Sequence, residues 1–147
     1  MYRDALVVRL KLTDVRTVTP SPSASALRDP KRDLCFRDRD ACCGIRKAAP
    51  LANELAAFDG WITGRQRLHG GDRAALPVVE SDGPRLKFNP LGRLTRAEFS
   101  RVFATADLPR HPLEALGFSS VGCVPCTNRP APGGGLRDGR WGGLAKT

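Results

Sequence analysis

Cys42-Cys43-Gly44-Ile45-Arg46-Lys47 and Cys123-Val124-Pro125-Cys126 are the stretches that decide how this chain is read. Four of the five cysteines fall into two tight pairs, with 79 residues between Cys43 and Cys123. Pairs of this kind are metal or cluster ligands more often than disulfides when nothing marks a chain as secreted. A vicinal pair is also a poor disulfide, because closing so small a ring distorts the peptide between the two residues. Four soft sulfur ligands suit a 4Fe-4S cluster or a tetrahedral zinc, and the residue types alone leave both open. Neighbouring Cys42 and Cys43 must splay their side chains to serve one centre, which a helix allows only where its local geometry relaxes.

Around these pairs the pattern alternates helices with short strands, an α/β expectation with a mostly parallel sheet. Ala5 to Leu12 reads as a helix and Val15 to Val18 as a β-branched strand, followed by a Pro/Ser/Ala-rich surface connection from Thr19 to Pro30. Cys42 to Lys47 reads as helical, and Pro50 opens the first turn of a helix. Trp61 to Thr63 reads as a short buried strand. Leu76 to Glu80 and Leu86 to Phe88 read as two more, joined by a turn at Ser81 to Pro84. Thr95 and Glu98 form a capping box ahead of Phe99, Val102, Phe103 and Ala106. Beyond Thr127 the chain is rich in Gly, Pro and Arg. The expected division is therefore residues 1–127 as the α/β domain and 128–147 as a mobile C-terminal segment.

The chain has 147 residues and a formal charge of +9. A basic surplus attracts anions. The basic residues are scattered, with one Tyr and two Trp for base stacking, which makes nucleic acid an unlikely partner. No apolar run approaches ~18 residues, so no transmembrane helix is expected. Neither does the first stretch read as a signal peptide, and the expected compartment is the cytoplasm, where thiols stay reduced.

Read together, these segments resemble a family. Cys42 to Lys47, Ala49-Pro50-Leu51, Trp61-Ile62-Thr63-Gly64, Arg73 to Val78 and Lys87 to Leu91 carry the likeness. So do Leu108 to Leu113, Gly117 to Thr127 and Arg137-Asp138-Gly139-Arg140-Trp141. In this order they resemble the assimilatory adenylyl-sulfate reductases of the phosphoadenylyl-sulfate/adenylyl-sulfate reductase family. The resemblance implies a partial PP-loop fold, of the adenine nucleotide alpha hydrolase type, without its first strand, phosphate loop and helix. It also implies that Cys42, Cys43, Cys123 and Cys126 ligate a 4Fe-4S cluster, with zinc as the alternative.

The implied reaction is reductive cleavage of adenylyl sulfate. A cysteine thiolate attacks the sulfate sulfur, AMP leaves, and an S-sulfocysteine remains. Reduced thioredoxin or glutaredoxin then releases sulfite by thiol exchange. Lys47, Arg67, Arg73, Arg137 and Arg140 match the family's substrate contacts, with His69 standing where glutamine is usual. No catalytic residue is assigned among the five cysteines. The family's nucleophile lies in a Glu-Cys-Gly-x-His segment expected just after Thr147, so the chain as written is expected to be inactive by itself. Cys35 reads as a spare, partly buried thiol. The paired cysteines favour adenylyl sulfate over the 3′-phosphorylated substrate, whose reductase is the nearer alternative. A zinc-stapled, basic nucleic-acid-binding module is the alternative from another class, and a homo-oligomer is left open.

Overall fold

A computed structural model describes residues 2–143. It groups the described residues up to 54 with those from 111 onward, and residues 55–110 as a second unit.

The second unit is built on three strands, β1 (Gly60–Ile62), β2 (Val79–Asp82) and β3 (Arg85–Phe88), in the order β1-β3-β2. β1 runs parallel to β3, with Trp61 opposite Lys87, and β2 runs antiparallel to β3, with Glu80 opposite the same Lys87. The sheet is thus mixed, where the sequence pattern suggested mostly parallel pairing. The physical reason is the short Gly83-Pro84 connection, which can join only antiparallel neighbours. Gly83 takes φ 64 there, a backbone region that costs glycine little. Ile62 is 74% exposed on the edge strand β1, so the expected buried strand is buried on one face at most.

Asn89 closes this unit and is fully buried. Its amide donates to Pro77 O at 3.0 Å and Glu80 Oε1 at 2.9 Å, and its carbonyl oxygen accepts from Thr63 Oγ1 at 2.6 Å. The capping box forms as expected and starts a helix over Arg96–Thr105, called α6 by its order in the chain. Glu98 Oε2 accepts from Thr95 N–H at 2.8 Å, and Thr95 Oγ1 accepts from Glu98 N–H at 3.2 Å.

The first unit is largely helical. It carries α1 (Tyr2–Arg9), α2 (Pro22–Arg28), α3 (Leu34–Arg37), α4 (Arg39–Cys43), a π-helical segment (Gly44–Ala48), most of α5 (Ala49–Leu55) and α7 (Pro112–Ala115). Val15 to Val18 forms no strand, since alternation makes a strand only where a partner supplies the ladder. The Pro/Ser/Ala stretch holds α2 instead of a plain connection. Ser21 Oγ accepts from Ala24 N–H, and Pro22 stands at the first turn, where its missing N–H costs nothing. The small apolar centre is Leu34, Cys42 and Ile45, with Cys35 and Ala41 packed against it.

Candidate metal centre

The adjacent cysteines stand where α4 gives way to the π-helical segment. Asp38 caps α4, its Oδ1 accepting from Ala41 N–H at 2.8 Å. After Cys43 the backbone widens, and the Ala49 N–H reaches the Gly44 carbonyl five residues back. The helix thus departs from α geometry immediately after the two cysteines. Cys42 and Ile45 face the apolar centre, and Cys43 is half-buried.

A cavity of about 330 Å³ opens beside this bend. Cys42, Cys43, Cys123 and Cys126 all line it, and Cys35 joins them. Arg32, Arg46 and Lys47 contribute the cations of the wall. Arg46 is fixed by Asp29, which is 2% exposed; Arg46 Nη2 donates to Asp29 Oδ2 at 2.6 Å, while Asp29 Oδ1 accepts from Leu34 N–H at 3.0 Å. The Arg46 hydrogen bond holds the Asp29 carboxyl below the usual carboxylate range. Burial pushes the Cys42 thiol up, and the Arg46 charge opposes that rise.

Among the described residues, no three His, Cys, Asp or Glu side chains draw together into a single-ion site. The thiols are distributed around the cavity wall. Four paired thiols around one cavity are a donor set that suits an iron–sulfur group or a tetrahedral zinc. Three cations on the wall suit an assembly made negative by four thiolates.

The second pair lies on a 3₁₀ turn, Val124–Cys126, in which Cys126 N–H donates to Cys123 O at 2.9 Å. Cys126 is 6% exposed, and Cys123 is exposed. From Asn128 the chain folds back: Asn128 N–H donates to Gly139 O at 2.7 Å, and Thr127 bridges antiparallel to Arg140. Arg39 Nη1 donates to Trp141 O at 2.7 Å, tying this return to the start of α4. Arg137 and Arg140 both lie over the Trp141 ring, at 4.9 and 5.1 Å from its centroid. Arg137 is half-buried, whereas Arg140 is 5% exposed.

Arg67 and Arg73 belong to the second unit. Arg67 Nε donates to Leu76 O at 2.8 Å, and Arg73 Nη1 meets His69 Nδ1 at 3.2 Å. Each is thus engaged with its own loop. Sequence reasoning missed Asp29, whose contact with Arg46 spans 17 residues and has no local signature. Cys35, read from the sequence as a spare, partly buried thiol, also lines the cavity.

Residues 1–129 match the model of the phosphoadenosine phosphosulfate reductase domain. The chain belongs to this family. It is 44% identical over 146 residues to an adenosine 5′-phosphosulfate reductase of Chelativorans sp., covering 99% of this chain and 60% of that protein. The enzyme of the same name from Mesorhizobium japonicum is also 44% identical, with 99% and 58% covered. One from Mycobacterium bovis is 37% identical over 139 residues, with 91% and 55% covered. The chain therefore spans about three fifths of the length of these relatives. Its fold is similar to that of a phosphoadenylyl-sulfate reductase from Candida auris, solved as a phosphate complex. The TM-score is 0.61 at 19% identity, over 84% of this chain and 61% of that one. This places the chain in the α/β class expected from the sequence. No helix among the described residues is long and apolar enough to cross a membrane.

Proposed function

We propose that this chain is the cluster-bearing part of an adenylyl-sulfate reductase of assimilatory sulfate reduction. The observation that carries the reading is the one cavity lined by Cys42, Cys43, Cys123, Cys126 and Lys47, in a chain whose relatives bear that name. The four cysteines would hold a 4Fe-4S cluster. Bound there, such a group would supply a fixed local charge and field beside the substrate rather than a new reacting atom.

The chain's own residues act on an anion. Lys47 is exposed at the cavity and takes part in no ion pair with a described residue, so its ammonium is available to a sulfate oxygen. Arg137 offers a fork suited to bidentate contact with a sulfate or phosphate. By the family pattern, Arg67 and Arg73 would contact the nucleotide. Thioredoxin or glutaredoxin would be the reductant and the cytoplasm the compartment. The paired cysteines favour adenylyl sulfate over its 3′-phosphorylated relative.

The test is anaerobic loading followed by iron, sulfide and zinc analysis. About four irons and four sulfides per chain, with absorbance near ~400 nm, are expected. A colourless protein holding one zinc would replace this reading with a stapled module. Calorimetry with adenylyl sulfate then separates a substrate-binding chain from a merely structural one, with Lys47→Ala weakening affinity about tenfold.

A further inference from the structure

Arg140 is an anomaly as a surface cation. It is 5% exposed, and among the described residues no carboxylate pairs with it. Its Nε is buried without a hydrogen-bond partner. A buried arginine with so little compensation is costly and persists where the fold uses it. Its side-chain hydrogen bond leads directly to the second cysteine pair. Arg140 Nη1 donates to Thr127 Oγ1 at 3.1 Å, and Thr127 Oγ1 donates to Cys123 O at 2.9 Å. The same hydroxyl accepts from Gly122 N–H at 3.0 Å, so Thr127 Oγ1 gathers the residue before Cys123, the Cys123 carbonyl and the guanidinium. Cys126 N–H closes the turn on that same Cys123 carbonyl.

Gly122 completes the arrangement. A Cβ built on it would fall inside the Arg140 guanidinium, while its φ lies outside the left-handed region. The glycine is therefore required by the arginine's approach and not by backbone strain. Trp141 covers the guanidinium through its ring face.

We infer that Arg140 is the positioning residue of the Cys123–Cys126 turn, acting through Thr127 in a slot that Gly122 leaves open. The link to a metal rests on the proposed cluster; the link to the turn does not.

The experiment measures alkylation rates of individual cysteines by iodoacetamide in the metal-free full chain, and iron content after anaerobic loading. Arg140→Met and Thr127→Val should each raise the Cys126 rate about tenfold, the equivalent of one buried hydrogen bond, with Cys35 and Cys42 unchanged. Thr127→Ser restores the hydroxyl and should return the wild-type rate. Gly122→Ala should act like Arg140→Met, yet add nothing to Arg140→Ala, because the two compete for one space. Loaded Arg140→Met should retain less than half the wild-type iron.

An unchanged Cys126 rate in Arg140→Met, or a Thr127→Ser that behaves as Thr127→Val, overturns the inference. So does a uniform rise at all five thiols, which would mark global loosening. If the wild-type chain takes up no iron, the cluster reading fails by itself, and the alkylation rates still decide the role of Arg140.

Discussion

The two units of this chain are ordered by different means. Residues 55–110 are held by a strand ladder and by one buried amide, Asn89, whose partners reach across three segments. The cysteine-bearing unit has no sheet among its described residues, and its apolar centre is Leu34, Cys42 and Ile45. It surrounds a cavity with thiols and cations. The first arrangement meets its buried amide with partners from within the unit. The second leaves sulfur and charge facing an open space, which is how a region looks when a ligand completes it.

The contrast can be broken most forcefully at the cysteines. Changing Cys42, Cys43, Cys123 or Cys126 to Ser should abolish cluster loading, measured as iron and sulfide, because a hard hydroxyl is a poor iron–sulfur ligand. Cys35→Ser should keep full iron; if it does not, the fifth thiol is a ligand and the pairing of four must be redrawn. On the sheet side, Asn89→Ala should cost about 2–3 kcal/mol in denaturant unfolding of that unit, since it strands a buried hydroxyl and carbonyl. Iron content should stay unchanged, and joint loss of both would dissolve the distinction between the units. Thr95→Ala removes one side of the capping box and should cost about 1 kcal/mol by the same measurement.

The smallest expected effect is a pH dependence. Asn89, then Lys87 and Arg65, hold the Glu80 carboxyl below its usual 4.5. A carboxyl with a lowered folded-state value contributes stability above that ordinary value and loses it as pH falls through the lowered one. The sheet unit should therefore weaken below about pH 4.5, and Glu80→Gln should flatten that limb. An unaltered acid limb in Glu80→Gln would remove Glu80 from the account.

The cysteine spacing, the Thr95–Glu98 box and the Gly83 turn were readable because each is a local arrangement with a fixed offset. The α2 signal was also present in Ser21-Pro22, but the Pro/Ser/Ala composition outweighed it. Val15 to Val18 had the right side chains and no neighbouring strand to pair with. The burial of Asp29 against Arg46 and of Arg140 against Thr127 depends on segments 17 and 13 residues apart. No periodicity records such contacts, because they arise from how helices and turns pack.

The widened helical turn at Gly44–Ala48 also sets a spacing. Five-residue hydrogen bonding accommodates one residue more than an α-helix would in the same rise. Removing a single residue from this stretch would take that widening out of the turn. Side chains on the two flanks would keep their phase, because the widened turn had already absorbed the extra residue. The change would fall on the turn itself, on Lys47 and its spacing from Cys43, although no cysteine had been altered. That turn works as a spacer between the thiols and the cation, written as an inserted residue.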